Sequence, residues 1–315
     1  MWAHVIRHFE QFLGELKLKD TELLDAEGKA ERIAKSLFAK YYPNLLFTPS
    51  CYVKVGSYGK GTATRPGSDL DILFVLPAEV HGSIEMLTGN KQSQLLQEVR
   101  RALLVTFPNT DIGADGQAVV APFQTYDVDI VPAFRYISGE YAGKYLIADS
   151  SDGGRWRLSD PVAEYNCLRR VDAAWGGKAT HLLKMLKAWK RECNVPIKSI
   201  CLEVLTTVFV EQWVHRDQTI FYYDWMIRDF FALMLNYVNG SAMPAGNTEW
   251  IPLGDYWESK CRSAYARACK ACEYEHADDD FEACSEWQKI FGSQFHIYWV
   301  RHFLTARVLT ARVDA

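Results

Sequence analysis

The chain has 315 residues, 49% of them hydrophobic and 23% charged, with ten Trp, sixteen Tyr and sixteen Phe. That balance allows one large or two ordinary cores and excludes a disordered or low-complexity chain. The formal charge of −4 argues against a protein that works by gripping long nucleic acids, which usually carries the opposite sign.

In chain order, Trp2, Val5, Ile6, Phe9, Phe12, Leu13 and Leu16 recur at three- and four-residue intervals and predict an amphipathic helix. Leu23, Leu24, Ala30, Ile33, Ala34, Leu37, Phe38 and Tyr41 predict a second, closed by Pro43. Cys51–Val55 reads as a short strand running into Gly56-Ser57, and residues 70–76 as an apolar strand stopped by Pro77. Leu95, Leu96, Val99, Leu103 and Phe107 mark a helix, residues 118–121 a brief strand, and residues 126–132 another strand. The polar, Gly-rich residues 138–160 read as a connector or lid. Beyond Asp160-Pro161 helical periodicity dominates, over 162–175, 180–193, 199–214 and 222–238. A Pro- and Gly-containing linker follows, and then helices over 255–275 and 282–311. The expected organisation is a mixed lobe over 1–160 and a helical lobe over 161–315.

No apolar run approaches the roughly 18 residues of a membrane span, so no membrane partner is expected. The N-terminal residues lack the basic start and apolar core of a signal peptide, and the eight cysteines are scattered. The expected setting is the cytoplasm, with reduced thiols.

The chemistry is concentrated between Val55 and Val75. Alternate strand residues share a face, so Asp69 and Asp71, leading an apolar strand, project together and can converge on a divalent cation. Asp129, on the later strand, is the candidate third carboxylate, with Asp127 on the same face. Gly56 permits a tight turn and close backbone approach, and Ser57 offers an N–H and a hydroxyl to phosphate. Lys60 and Arg65 add positive charge.

Gly56-Ser57, eleven further residues, then Asp69-x-Asp71, with Asp129 downstream, resembles the nucleotidyltransferase superfamily typified by DNA polymerase β. The fuller run, residues 56–62 followed by 68–71, is similar to one branch of that superfamily. It holds oligoadenylate synthetases, cyclic GMP-AMP synthase and the bacterial cGAS/DncV-like nucleotidyltransferases (CD-NTases). Residues 128–133 resemble that branch's third-aspartate strand and so favour Asp129 over Asp127. Leu182, Leu183, Leu186 and Trp189 form one face of a helix whose other face carries Lys184, Lys187 and Arg191. In the family a lysine at the position of Lys187 reaches the donor triphosphate, and Ser199 sits where cyclic GMP-AMP synthase has a phosphate-binding serine.

The resemblance implies an α+β fold: a polymerase β-like core with a mixed sheet, a helical oligoadenylate synthetase-like lobe, and an active site in the cleft between them. It implies that Asp69 and Asp71 hold two Mg²⁺ ions, with Mn²⁺ as an alternative, together with the donor triphosphate. Asp129 would complete the second metal site and help deprotonate an acceptor ribose hydroxyl, while Gly56, Ser57, Lys60, Lys187 and Ser199 would serve the phosphates. The implied activity is synthesis of a cyclic di- or trinucleotide second messenger from NTPs, ATP and GTP first among them, in bacterial antiphage (CBASS-type) signalling. A regulatory protein of the same defence system would be a partner, and no long nucleic acid would be required. The rivals are nucleotide addition to a tRNA 3′ end, nucleotidylation of a protein or small molecule, and a non-catalytic nucleotide sensor. Cys269-x-x-Cys272, with His276 and Cys284, falls within helical pattern and lacks a second paired half, so buried thiols rather than structural zinc are expected there.

Overall fold

A computed structural model describes residues 4–296. In chain order the elements are α1 (Val5–Leu16), α2 (Asp20–Tyr41), β1 (Tyr52–Lys54), the single turn α3 (Gly56–Gly59), β2 (Leu70–Val75), α4 (Ala78–Glu85) and α5 (Lys91–Thr106). Then come β3 (Gly113–Asp115), β4 (Ala118–Pro122), β5 (Asp127–Arg135), β6 (Tyr145–Asp149), β7 (Arg155–Ser159), α6 (Pro161–Ala174), α7 (Lys178–Glu192) and α8 (Ser199–Gln212). The last are α9 (Tyr223–Leu235), β8 (Ser241–Ala242), β9 (Ile251–Pro252), α10 (Glu258–His276) and α11 (Asp280–Phe291). The fold is α+β and falls into two compact units.

The first unit takes residues 18–167 and a short segment, 245–249. Its seven-stranded sheet is organised around β5. Along one side β5 pairs in parallel with β2, whose other edge takes antiparallel β1. Along the opposite side the first half of β5 pairs with β4 and the second half with β6, which carries β7. Period-two alternation divides the sheet residues between two faces. Leu70, Ile72, Phe74, Val128, Ile130 and Phe134 join Ile33, Leu37, Leu95 and Val99 of α2 and α5 in one apolar core. Leu73, Ala133, Tyr145 and Ile147, with Val75 and Val131, form a smaller cluster on the other face. By parity Asp71 and Asp129 belong to that second face, away from α2 and α5.

The described residues of the second unit fall in 4–17, 168–244 and 250–296. Its core gathers Phe9 and Phe12 of α1, Trp189 of α7, Phe230 and Phe231 of α9, Trp257, and Trp287 of α11, all fully buried or nearly so. Phe9 meets Trp287 edge-on at 5.4 Å, and Trp189 meets Phe231 at 4.9 Å. Aromatic pairs of this kind add to the area they bury.

Three features depart from the expected layout. A cut at 160 assigns α1 to the mixed lobe, whereas its apolar stripe of Val5, Phe9, Phe12 and Leu16 lies in the core of the helical unit. The connector expected over 138–160 contains β6 and β7. Residues 145–148 are an apolar run that is largely buried, and the Gly153-Gly154 pair serves the turn between two paired strands. The helix expected over 282–311 ends at Phe291, because Gly292 takes φ +76 and a Cβ there would sit 2.3 Å from the Glu192 carboxylate. Its portion beyond 296, like Trp2 of the first expected helix, lies outside the described residues.

Candidate active site

The site is assembled from β1, the α3 turn, the loop to β2, and β5. Val55 N–H donates to the Asp71 carbonyl at 2.9 Å, so the chain enters the turn still zipped to the aspartate strand. Gly56 then takes φ +55, and a Cβ on it would lie 2.0 Å from Asp71 Oδ2. Only a residue without a side chain fits there, which means the Asp71 carboxylate lies directly against the Gly-Ser turn. Gly59 is constrained in a second way, since a Cβ would meet the Lys54 carbonyl at 2.3 Å. The Ser57 carbonyl accepts from Thr62 N–H at 2.9 Å and Ala63 N–H at 3.0 Å, closing the turn from within. Thr64 N–H donates to Ser68 Oγ at 2.9 Å, which closes the loop just before Asp69.

Asp71 and Asp129 are direct register partners on the parallel pair β2 and β5. Neighbouring strands run about 4.8 Å apart, so the two side chains start side by side on one face. Burial, reinforced by the negative charges of Asp69 and Asp127, pushes the Asp129 carboxyl up to about 6. Carboxylates crowded in a half-buried place raise one another's proton affinity unless a cation neutralises them. That crowding, with an oxygen-only donor set of Asp69, Asp71 and Asp129, fits a divalent ion of the hard, oxygen-seeking class.

Lys60 and Arg65 each meet a carboxylate from outside the loop. The Lys60 ammonium is buried and donates to Glu164 Oε2 at 2.6 Å, on the first turn of α6, where Asn247 also reaches the same carboxylate. The Arg65 guanidinium donates to Glu22 on α2 at 3.2 Å. Neither carboxylate carries a local sequence signal linking it to the loop.

A second layer consists of Tyr58 and Tyr126, with ring centroids 6.1 Å apart. The Tyr126 hydroxyl donates to Asp25 on α2 at 2.8 Å, and Lys29 lies 3.9 Å over the Tyr126 ring while bonding Thr125. Burial, then Glu22, Asp25 and Asp69, raise the Tyr58 phenol above its ordinary value. The N-terminal half of α2 therefore braces both the loop between α3 and β2 and the approach to Asp127 and Asp129. Sequence reading missed this layer; its only local sign is an aromatic residue directly before Asp127.

Lys187 and Ser199 belong to the helical unit. Lys187 is half-buried on the polar stripe of α7, and Ser199 opens α8, exposed. Lys190, one turn beyond Lys187, donates to Ser199 Oγ at 3.0 Å, a neighbour that sequence reading did not name. Cys269 and Cys272 lie on α10, with Cys272 buried and its thiol pushed up by burial, and His276 is exposed at that helix's end.

A family profile described as the Second Messenger Oligonucleotide or Dinucleotide Synthetase domain matches residues 4–171. The chain is 23% identical over 257 residues to the cyclic AMP-AMP-AMP synthase of Acinetobacter sp. (strain ATCC 27244 / 9458), covering 76% of this chain and 71% of that protein. Its fold is similar to the Vibrio cholerae DncV cyclic AMP-GMP synthase bound to a linear intermediate, with TM-score 0.69, 15% identity, and coverage of 91% of this chain and 97% of that one. It is also similar to E. coli MS115-1 CdnC in complex with HORMA-deltaN, with TM-score 0.64, 18% identity, and coverage of 92% and 98%.

Proposed function

The chain belongs to the Second Messenger Oligonucleotide or Dinucleotide Synthetase family of cGAS/DncV-like nucleotidyltransferases, which are metal-dependent enzymes, and we propose that it joins ATP, GTP or both into a cyclic di- or trinucleotide second messenger with release of pyrophosphate. One observation carries the reading most directly. Asp71 lies flush against the Gly56-Ser57 turn while standing in register beside Asp129 on the neighbouring parallel strand.

In this reading Asp69 and Asp71 would hold Mg²⁺, with two ions as the working number and Mn²⁺ as a substitute, beside the donor triphosphate. Asp129 completes the carboxylate set. A divalent ion held by these carboxylates would supply neutralisation of phosphate charge and acidification of the attacking hydroxyl. Ser57 offers its N–H and hydroxyl to donor phosphate oxygens, and Lys187 and Ser199 add phosphate contacts from the helical unit. Lys60, paired with Glu164, steadies the loop that offers the Ser57 phosphate contacts. As the acceptor ribose oxygen forms its bond to the α-phosphorus, its proton passes to a carboxylate oxygen of Asp129. The bond from that phosphorus to the bridging oxygen breaks, and pyrophosphate leaves with the electron pair. A second round on the linear product closes the ring. Rate enhancement comes from positioning and from stabilising developing charge.

Antiphage signalling in the cytoplasm is the biological setting that goes with this activity. No helix of the described residues is long and apolar enough to cross a membrane. A regulatory protein partner is part of the reading, supported by the CdnC relative whose structure includes a HORMA protein.

The test is incubation with all four labelled NTPs and Mg²⁺, followed by chromatography and mass spectrometry of phosphatase-resistant products. A cyclic product made by the wild type and lost in Asp69→Asn/Asp71→Asn is the expected result. Label found only in tRNA or protein would overturn it, as would an absence of pyrophosphate release with every NTP mixture in Mg²⁺ or Mn²⁺.

A further inference from the structure

Three donor atoms of different chemistry meet inside the helical unit, on elements the nucleotidyl-transfer reading does not use. They are His8 Nε2 on α1, Asp280 Oδ1 at the start of α11, and Cys284 Sγ one turn further on. All three lie within 4.8 Å of one another. His8 and Cys284 are buried, and the Asp280 side chain is only 10% exposed. We propose that His8, Asp280 and Cys284 form a structural zinc site that ties α1 to α11.

The geometry of the imidazole is the first support. Its other nitrogen, Nδ1, is 2.9 Å from Glu275 Oε1, a buried carboxylate that also accepts from Trp287 Nε1 at 3.2 Å. A carboxylate that fixes the far nitrogen of a histidine is the usual outer support of a metal-bound imidazole, because it selects the tautomer and aims the free lone pair. Here Trp287 fixes the carboxylate in turn. In the tautomer whose Nδ1–H donates to Glu275, Nε2 presents its lone pair toward Asp280 and Cys284.

The Asp280 carboxylate is the second, independent support. Its Oδ1 approaches His8 Nε2 to 2.7 Å but has no hydrogen-bond partner of proper direction, although it is sealed from solvent. A buried carboxylate oxygen without a directed donor is costly. Its neighbour Oδ2 is satisfied by Arg7 at 3.1 Å, so the side chain is held in place with one oxygen aimed into the cluster. A cation at the centre would give Oδ1 the partner that it lacks.

Distances and charge both suit zinc, which takes mixed nitrogen, oxygen and sulfur ligands. His8 Nε2 and Cys284 Sγ are 3.4 Å apart. With ordinary zinc bonds of about 2.0 Å to nitrogen and about 2.3 Å to sulfur, that separation gives an angle of about 104°, near tetrahedral. Asp280 Oδ1 must back away from Nε2 by roughly half an ångström to reach the same geometry, a small side-chain rotation. Binding replaces the thiol S–H bond with a sulfur–zinc bond and releases the proton to solvent. The thiolate and Asp280 then balance the ion's two charges, while Arg7 and Glu275 offset each other.

Full-length protein is produced with added zinc, dialysed against metal-free buffer and measured by inductively coupled plasma mass spectrometry. The expected content is about one zinc per chain, as for a single mononuclear site. It is retained in Asp69→Asn/Asp71→Asn and lost in His8→Gln and in Cys284→Ser. Glu275→Gln, which keeps all three ligands, weakens zinc affinity by about tenfold or more. X-ray absorption of the zinc-loaded wild type reads the ligands without any substitution, and decides the matter if a variant does not fold. One sulfur with nitrogen and oxygen neighbours is the expected shell. A wild type without zinc, zinc that survives both His8→Gln and Cys284→Ser, or an all-oxygen shell overturns the site.

Discussion

Gly56 and Asp129 are the two residues at which the site's chemistry meets its architecture. Gly56 combines a left-handed backbone with a position where a Cβ would lie 2.0 Å from the Asp71 carboxylate. Gly56→Ala therefore strains the turn and pushes Asp71 aside at once. A loss of about 1–3 kcal/mol in urea unfolding is expected, with synthesis falling by at least about tenfold, as for a small misplacement of catalytic groups. Unchanged kinetics in a folded Gly56→Ala protein would disconnect the turn from the site. Asp129 makes a pH-dependent prediction for the metal-free protein. Its folded value of about 6 lies above the ordinary carboxylate value, so folding favours the neutral form. That contribution is fully present below about pH 4 and is lost as pH rises through about 6. Asp129→Asn, which stays neutral, should thus gain about 2 kcal/mol over wild type at pH 8, while the two match near pH 4. The full rise would be worth roughly 3 kcal/mol, and solvent screening of a half-buried carboxylate reduces it. Chemical denaturation at both pH values, in the presence of a chelator, checks the sign. The same variant should make no cyclic product.

At the scale of elements, the loop between α3 and β2 is held by charges supplied from far away in the chain. Lys60 and Glu164 form a largely buried pair, with side chains 5% and 16% exposed. Breaking such a pair costs more than replacing both partners, because the remaining charge stays in place without its counterpart. Lys60→Met alone should cost about 3 kcal/mol, and Lys60→Met/Glu164→Leu should recover most of it. A large rise in the KM for ATP in Lys60→Met, with stability unaltered, would instead assign Lys60 to the triphosphate. The brace from α2 is of the same kind, with Glu22 on Arg65, and Asp25 and Lys29 on Tyr126. None of these partners was legible in advance, since a lysine or glutamate gives no local sign of which distant side chain it will meet. The strands β6 and β7 were missed for a related reason. Gly153-Gly154 reads as loop, and β7 alternates Arg155, Trp156, Arg157 and Leu158 in a half-exposed pattern. Only its pairing with β6 makes it a strand.

At the scale of the whole molecule, the described residues 4–17 and 250–296 share one unit although they lie far apart in the chain. α1 precedes the mixed sheet in sequence, yet Phe9 is fully buried among Trp287, Phe295 and Tyr223. Phe9→Ala should destabilise the helical unit by about 3–5 kcal/mol, the usual cost of emptying a buried aromatic site, read by tryptophan fluorescence during denaturation. A change under about 1 kcal/mol would mean that α1 is only loosely attached. The Gly-Ser turn, the paired aspartates and the strand carrying Asp129 could be read from the sequence alone. Their chemistry depends on local spacing: alternate residues of a strand share a face, and a tight turn needs glycine. Helix periodicity likewise marked α2, α5 and α7 through α10, because each buries a continuous apolar stripe. Only the tertiary structure decided that Asp71 stands beside Asp129, that Lys60 turns to Glu164, that α1 joins the helical unit, and that His8 meets Asp280 and Cys284. Those outcomes depend on which surfaces pack together across long stretches of chain, and periodicity fixes the face that a residue occupies without naming what will cover it.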